Sequence, residues 1–197
     1  MRRFATLGLR PTRAIVIFRY LSRTMPVLPE HRSVLASLDH LSSQRDVSLV
    51  LDNARRLQEA AGAGDMPPLL RGKRLGLLCE DDTAANARLF RSAAVELGAH
   101  VAHLRPSLSG LATPLDLQHT AQMLGRLYDA VECQGLDKAV VLQLRRACAI
   151  PVYDGIASRD HPTAALAGSL GNGGTARDQR RFVLQAALLQ TVANVWA

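Results

Sequence analysis

Short apolar runs alternate with longer amphipathic segments between residues 74 and 153 of the chain. Alternation of this kind predicts strands joined by helical crossovers, and therefore a parallel sheet covered by helices. The predicted strands are residues 74–80, 100–105, 130–134 and 151–153, and the predicted helices between them are residues 83–97, 114–128 and 136–149. We therefore expect an α/β fold with three layers (α/β/α), in which a short parallel sheet of about four strands lies between two layers of helices.

Helical periodicity also lies on both sides of this alternating region. Residues 33–62 end in a helical pattern, for which Ser42 or Ser43 is the candidate N-terminal cap. Residues 176–196 are predicted to form a strongly amphipathic helix. Since these segments and the sheet together have the length and apolar content of one ordinary domain, we expect residues 33–197 to fold as a single domain.

The positive charge of the chain is concentrated at its N-terminus. The formal net charge is +7, and residues 1–32 contribute +6 of it through seven arginines and one acid, Glu30. The first 25 residues contain no acid, which is typical of a mitochondrial presequence. We interpret residues 1–32 as a presequence-like basic extension and expect a mitochondrial protein. A basic tail on a cytoplasmic protein, or a start codon assigned too early, would give the same composition.

The rest of the chain carries almost no net charge, which argues against two classes of function. A net charge of +1 on residues 33–197 does not provide the basic surface of a nucleic-acid-binding domain. Aromatic residues, at 4%, are also too few for base stacking. No apolar run approaches the ~20 residues of a membrane-spanning helix. We therefore expect neither a nucleic-acid partner nor a transmembrane segment.

The cysteines and histidines do not form a recognisable metal or disulfide site. No two of the three cysteines are closely spaced, so neither a disulfide framework nor zinc is expected. Cys79 and Cys133 lie in predicted strands and Cys148 in a predicted helix, where we expect small core residues. His100 and His103 lie three positions apart on a predicted strand and therefore face opposite sides of it. We expect no metal and no cofactor.

Residues 70–105 resemble the carbamoyl-phosphate-binding lobe of the ornithine and aspartate carbamoyltransferase family. In that family the first strand of the lobe is followed by Ser-Thr-Arg-Thr-Arg, which opens a helix. Here the same five positions are Thr83, Ala84, Ala85, Asn86 and Ala87. The resemblance implies that two phosphate-binding arginines have become Ala85 and Ala87, whose side chains donate no hydrogen bond. Thr83, with Asp82 as the alternative, is the candidate cap of the helix.

The other phosphate-site positions implied by the resemblance are altered in the same way. The family's arginine at the end of the third strand corresponds to Gln134, and the glutamine of its His-Pro-x-Gln element corresponds to Ala164. His161 and Thr163 of that element remain, and together with Thr83 they are the vestigial anion-site positions. A single histidine beside a proline is more typical of a hydrogen-bonded loop residue than of an anion ligand.

The resemblance covers residues 36–168, with weaker similarity at residues 176–195. Active family members have a second lobe that binds ornithine, followed by a C-terminal helix that returns to pack on the first lobe. Here the Gly-rich residues 168–174 stand in place of the second lobe. They lack the strand and the Gly-Lys-Ser/Thr ending of a nucleotide loop, so we expect a flexible connector. The expected fold is carbamoyltransferase N-terminal-domain-like, with residues 176–196 as its closing helix.

A scaffold that matches the family, combined with lost phosphate-binding residues, predicts a pseudoenzyme without catalytic residues. We expect an accessory subunit of a larger mitochondrial assembly, such as a respiratory chain complex, ATP synthase or the mitochondrial ribosome. Residues 1–32 are a candidate contact to the other protein subunits. Two alternatives stay open. In the first alternative, the protein is a regulatory partner of an active carbamoyltransferase, since family members form trimers through this lobe. The same contact would also allow a homotrimer. In the second alternative, the protein still binds carbamoyl phosphate or another anion.

Overall fold

Four strands form one parallel sheet in the part of the chain that the structure describes. The structure is a computed structural model that describes residues 44–106, 113–171 and 174–193, and these residues all fall within one compact unit. The strands are β1 (Arg74–Leu78), β2 (His100–Leu104), β3 (Ala130–Cys133) and β4 (Val152–Asp154). They lie in the order β2-β1-β3-β4, and each neighbouring pair is parallel.

Helices in the described residues connect the strands and follow them. They are α1 (Gln44–Gly62), α2 (Ala85–Glu96), α3 (Pro114–Leu127), α4 (Lys138–Ala147), α5 (Pro162–Ala167), a short 3₁₀ helix (Gly168–Leu170) and α6 (Ala176–Val192). Several begin at a side chain that accepts a hydrogen bond from a free backbone N–H of the first turn. Thr113 caps α3 in this way, Asp137 caps α4, and Thr175 and Asp178 form a reciprocal capping box at the start of α6.

Side chains alternate between the two faces of the sheet and build a core on each face. Leu75 and Leu77 of β1 lie in the core that contains α1, α2 and α6. Leu78 and Val131 lie in the opposite core, which contains α3 and α4. Helices therefore cover both faces of a four-stranded parallel sheet, which confirms the predicted three-layer α/β fold.

Helix α6 is more deeply buried than its sequence predicts. Residues 182–189 are all buried, so the helix has no polar face along this stretch. It packs against α1, α2 and α5. The prediction of a strongly amphipathic helix is wrong for this reason: a helix enclosed by neighbours on several sides needs apolar or small residues all round. Its predicted last residues, 194–196, lie outside the described residues.

The turn between α2 and β2 depends on a glycine. Gly98 has a φ of +85°, a backbone conformation that other residues adopt only with strain. A Cβ atom at this position would also lie 2.9 Å from Cβ of Pro68. Gly98 therefore lets the chain reverse tightly and enter β2 beside β1.

Most predicted boundaries differ from the observed ones by one or two residues, and two segments differ more. Helix α5 was not predicted, because it has only six residues and begins at a proline. Residues 168–170 of the predicted flexible connector form a 3₁₀ helix, because the chain continues the helical path of α5. Residues 172 and 173, the candidate caps Ser42 and Ser43, and the basic extension 1–32 lie outside the described residues.

The three cysteines are only partly placed as predicted. Cys79 is buried but follows the end of β1 instead of lying within it, while Cys133 is buried in β3. Cys148 is the residue after α4 and is only half-buried, with its Sγ 3.5 Å from the carbonyl oxygen of Ala121. The prediction of Cys148 as a helical core residue is therefore only partly confirmed, because Cys148 packs against the core beside α3 and α4 but lies one residue beyond the end of α4.

Candidate functional site

The connections of the sheet reverse direction between β1 and β3. The chain leaves β1 toward β2 on one side and leaves β3 toward β4 on the other. In open parallel sheets, ligand crevices form outside the carboxyl ends of the strands at such a reversal. Ala85, in the segment after β1, and Ala164, in the segment after β4, line one cleft of about 380 Å³. Two altered positions from distant parts of the sequence therefore meet at one cleft.

Asp81 organises the loop that follows β1. Its carboxylate accepts one hydrogen bond from the backbone N–H of Thr83, at 2.8 Å, and one from Oγ1 of Thr83, at 2.6 Å. The bond from the Thr83 hydroxyl, followed by that from its backbone, lowers the pKa of Asp81. Helix α2 begins only at Ala85, and its N-cap residue Ala84 provides no side-chain hydrogen bond. The prediction that Thr83 caps this helix is therefore wrong, because its hydroxyl is bound to Asp81.

The alternative cap, Asp82, is engaged elsewhere as well. Its carboxylate lies 2.8 Å from a guanidinium nitrogen of Arg91, and 3.7 Å from Nδ1 of His103. The hydrogen bond from Arg91 lowers the pKa of Asp82, so this carboxyl is ionised at neutral pH. The prediction of Asp82 as the cap is thus also wrong. Two adjacent carboxylates now follow β1, and both would repel a phosphate group placed at this turn.

The two alanines at the positions that the resemblance assigns to arginine lie in different environments. Ala85 is exposed and lines the cleft. Ala87 is fully buried in the core that also contains residues of α1 and α6. A longer side chain at position 85 would therefore extend into the cleft, whereas one at position 87 would enter the core.

Gln134 hydrogen-bonds a buried carboxyl group. Its Nε2 donates to Oε1 of Glu132 at 3.0 Å, and the backbone N–H of Ile156 donates to Oε2 at 3.2 Å. Burial raises the pKa of Glu132 to about 7, although these hydrogen bonds act in the opposite direction. Glu132 is not among the site residues predicted from the sequence. The available signal was a single acid inside an otherwise apolar strand.

Titration of Glu132 is expected to make the protein less stable as the pH rises. The pKa of Glu132 is about 7 in the folded protein and near 4.5 when unfolded, so the folded protein retains the proton between these values. No stability is lost below pH 4.5, and the loss grows through pH 7 to on the order of 3 kcal/mol. Urea unfolding at pH 4.5 to 8 should show this slope in the native protein but not in Glu132→Gln.

The comparison with Glu132→Gln is needed because His161 titrates in the opposite sense. Burial lowers the pKa of His161 to about 4, so this histidine makes the folded protein less stable as the pH falls below its ordinary value of 6.5. The difference between the two proteins isolates the glutamate. An identical pH dependence in both would contradict the assignment of a raised pKa to Glu132.

His161 and Thr163 are held by hydrogen bonds within the chain. Nδ1 of His161 accepts from the backbone N–H of Thr163 at 3.2 Å, so the histidine is the N-cap of α5. Oγ1 of Thr163 donates to the carbonyl oxygen of Ile156 at 2.7 Å. Both side chains are buried, and His161 is neutral at physiological pH because its pKa is lowered. These two vestigial positions therefore stabilise the turn between β4 and α5 and supply no positive charge.

Positive charge in the cleft comes from residues that the sequence analysis did not select. The cleft is lined by the following residues: Ala85, Asn86, Arg88, Leu89, Arg159, Ala164, Ala176, Arg177 and Arg180. The four arginines come from α2, from the loop after β4 and from the first turn of α6. They are separated widely along the chain, and only the pair Arg177 and Arg180, three residues apart at a helix start, gave a local signal.

Metal-binding clusters and membrane-spanning helices are two further features that residues 44–106, 113–171 and 174–193 could contain. No group of three or more histidine, cysteine, aspartate or glutamate residues there is placed to hold a metal ion. Within the same ranges, every helix lacks either the length or the apolar character that crossing a membrane requires.

Comparison with known proteins identifies the domain. Residues 34–170 match the family described as aspartate/ornithine carbamoyltransferase, carbamoyl-P binding domain. The chain is 33% identical over 138 residues to an ornithine carbamoyltransferase from Actinobacillus pleuropneumoniae, a match that covers 70% of this chain and 41% of that protein. The chain thus spans less than half the length of this relative.

Solved structures agree with the sequence match at the level of the fold. An ornithine carbamoyltransferase from Pyrococcus furiosus superposes with a TM-score of 0.58 at 24% identity, covering 69% of this chain and 43% of that one. An aspartate transcarbamoylase from Trypanosoma cruzi in complex with phosphate gives a TM-score of 0.56 at 22% identity, covering 69% and 45%. The family match over residues 34–170, with which the sheet order agrees, shows that this chain belongs to the aspartate/ornithine carbamoyltransferase family.

Proposed function

We propose that this protein is a non-catalytic member of the carbamoyltransferase family and an accessory subunit of a larger mitochondrial assembly. The observation that carries the proposal is the loop after β1, where Ala85 occupies a position to which the resemblance assigns a phosphate-binding arginine, and Asp81 binds the backbone N–H of Thr83. A phosphate at a strand-to-helix turn needs free backbone N–H groups and cationic side chains. The loop from Asp81 to Ala84 offers two carboxylates and no cationic side chain, and the N–H group of Thr83 is occupied.

The path of the chain between α5 and α6 supports the same proposal. Only residues 171–175 separate the 3₁₀ helix from the start of α6. Helix α6 then packs against α1, α2 and α5, as a returning C-terminal helix would. Five residues cannot contain the ornithine-binding lobe that active members insert before this helix. Helix α6 therefore packs directly on the first lobe, and the chain between α5 and α6 holds no second lobe that could bind a carbamoyl acceptor.

An exposed stripe on α3, apolar except for His119, supports a contact with another protein. Leu115, His119, Met123 and Leu127 are exposed and recur at four-residue intervals, which places them on one face of the helix. Exposed apolar residues that form a continuous patch are typical of protein interfaces. We name these four residues the α3 stripe and propose that it docks on a neighbouring subunit. The basic residues 1–32 are proposed as a second contact and as the mitochondrial targeting segment.

Size fractionation of native mitochondria, with identification of co-migrating proteins, tests the proposal. Migration with a respiratory chain complex, ATP synthase or the mitochondrial ribosome is the expected result. Migration with an active carbamoyltransferase would instead establish the regulatory role. Migration as a free monomer or homotrimer would contradict both. Calorimetric titration with carbamoyl phosphate adds an independent check, because binding tighter than about millimolar, or about 4 kcal/mol, would overturn the loss of the phosphate site.

Disruption of the α3 stripe is expected to release the protein from its assembly. The double variant Met123→Ser and Leu127→Ser removes apolar contact area but leaves the core intact, since both side chains are exposed. We expect most of the protein to shift from the large complex to the monomer fraction. Val95→Ser is the matched control, because Val95 is 52% exposed, as against 51% for Met123, and lies on α2 in the opposite layer. Equal retention of both variants in the complex would contradict docking through the stripe.

A further inference from the structure

The cleft at the carboxyl edge of the sheet has an unusual charge. Four of its nine lining residues are arginines, and none of the nine is an acid. Within the described ranges, none of these four guanidinium groups has a carboxylate within ion-pair distance. The neighbouring Arg181, in contrast, pairs with Glu96 at 2.9 Å and with Asp178 at 3.2 Å. The positive charge of Arg181 is therefore neutralised by carboxylates, whereas the four arginines of the cleft have no such partner within the described ranges.

Acidic groups near the cleft reduce this charge only in part. Asp81 interacts electrostatically with Arg88, but its carboxylate already accepts two hydrogen bonds from Thr83. Asp178 interacts electrostatically with Arg177, but it also completes the capping box with Thr175. Each carboxylate thus accepts hydrogen bonds from a neighbouring threonine and offsets the charge of its arginine only in part.

The cationic groups are held in place against their mutual repulsion. Arg180 is half-buried, and its Nη2 donates to the carbonyl oxygens of Ala157 at 2.6 Å and Ser158 at 2.9 Å. Burial, and after it the like charge of Arg159, lowers the pKa of Arg180. The N-terminal end of α6, which carries Arg177 and Arg180, is fixed by its capping box. Such an arrangement costs free energy in the isolated protein, and a bound anion offsets that cost.

The size and lining of the cleft restrict the ligand. A volume of about 380 Å³ lies in the range of sites that accept a ligand of many atoms, so a single small anion would leave most of it unfilled. No aromatic residue is among the nine that line it, which leaves no platform for a nucleotide base. Its apolar walls, which include Leu89 and Ala164, suit the aliphatic parts of a peptide.

We infer that the four-arginine cleft receives an acidic peptide segment of a partner protein. Arginine binds carboxylates through two parallel hydrogen bonds, so several arginines around one cleft can select a segment with two or more Asp or Glu residues. The partner contact occupies the former substrate crevice, on a different part of the surface from the α3 stripe. This inference rests on the proposed role as a subunit and specifies the chemistry of one contact.

Peptide binding to the full chain tests the inference directly. The probe is a fluorescein-labelled octapeptide of alternating Glu and Ala, followed by fluorescence anisotropy, and the peptide of alternating Gln and Ala is its neutral counterpart. We expect the acidic peptide alone to bind. The double variant Arg159→Ala and Arg177→Ala should weaken binding at least about tenfold, since each arginine contributes charged hydrogen bonds. Both side chains are exposed, so the variant is expected to fold, as urea unfolding will verify.

A charge-matched variant separates the cleft from general attraction to a basic protein. Arg126→Ala with Arg146→Ala also removes two exposed arginines, but from α3 and α4 on the opposite layer. Binding within about twofold of the native protein is expected for this control. Equal weakening in the two double variants would overturn the inference. Displacement of the peptide by inorganic pyrophosphate at a lower concentration than by unlabelled peptide would also overturn it, in favour of a phosphate site.

Native fractionation distinguishes failure of the inference from failure of the proposed function. If the native protein joins a large complex and the variant lacking Arg159 and Arg177 joins it equally well, the inference fails and the subunit role stands. If the native protein joins no complex, the subunit role fails, and with it the assignment of a partner segment to the cleft. If the inference and the proposed function both hold, the variant lacking Arg159 and Arg177 is lost from the complex and binds the peptide more weakly.

Discussion

Ala87→Arg is expected to destabilise the protein by at least about 3 kcal/mol, although it restores a residue that the family uses. Ala87 is fully buried in the core with α1 and α6, so a guanidinium group there would be desolvated and would displace packed side chains. Ala85→Arg should change the stability by no more than about 0.5 kcal/mol, because position 85 is exposed on the cleft. Urea unfolding at pH 7 of both variants measures the difference.

A third variant separates the effect of charge from that of volume. Ala87→Leu also overfills the site but buries no charge, so we expect a smaller loss of about 1–3 kcal/mol. If Ala87→Arg were as stable as Ala85→Arg, position 87 would not be packed as described. The expected order of stability means that an arginine is tolerated at position 85 but not at position 87, because position 87 lies in the core.

Leu188→Ala is expected to lower the free energy of unfolding by about 2–5 kcal/mol, which is a large part of the stability of a domain of this size. Leu188 is fully buried in the middle of α6, where residues 182–189 contact neighbours on several sides. Truncation leaves a cavity that the surrounding helices cannot fill. Leu115→Ala on α3 is the matched control, since Leu115 is 60% exposed and its truncation should cost no more than about 0.5 kcal/mol.

The size of the Leu188 effect also tests the role of α6 in the fold. If α6 were a loosely packed helix at the periphery of the fold, the two leucine variants would differ little. A difference of more than about 2 kcal/mol in urea unfolding indicates that α6 is part of the core. A difference below about 1 kcal/mol would contradict the packing described for it.

Local patterns predicted the layers and the sheet well, because parallel strands buried on both faces are apolar throughout and their connecting helices are amphipathic. The resemblance over residues 70–105 was likewise sufficient to recognise the family, since the strand and helix that flank residues 83–87 keep the family's order. Boundaries were predicted to within one or two residues. The prediction failed in the loop after β1. The hydroxyl of Thr83 was expected to cap the helix, but it donates its hydrogen bond to the carboxylate of Asp81.

What the sequence by itself determined is therefore the order of strands and helices, the family and the absence of arginine at positions 85 and 87. These properties depend on residues close together in the chain or on motifs read in order. Only the tertiary structure decided that Ala87 is in the core while Ala85 faces a cleft, that α6 is enclosed, and that Glu132 is buried. It also brought Arg88, Arg159 and Arg180 to one cleft. Such features depend on packing between distant segments, and a linear pattern does not contain the distances that create them.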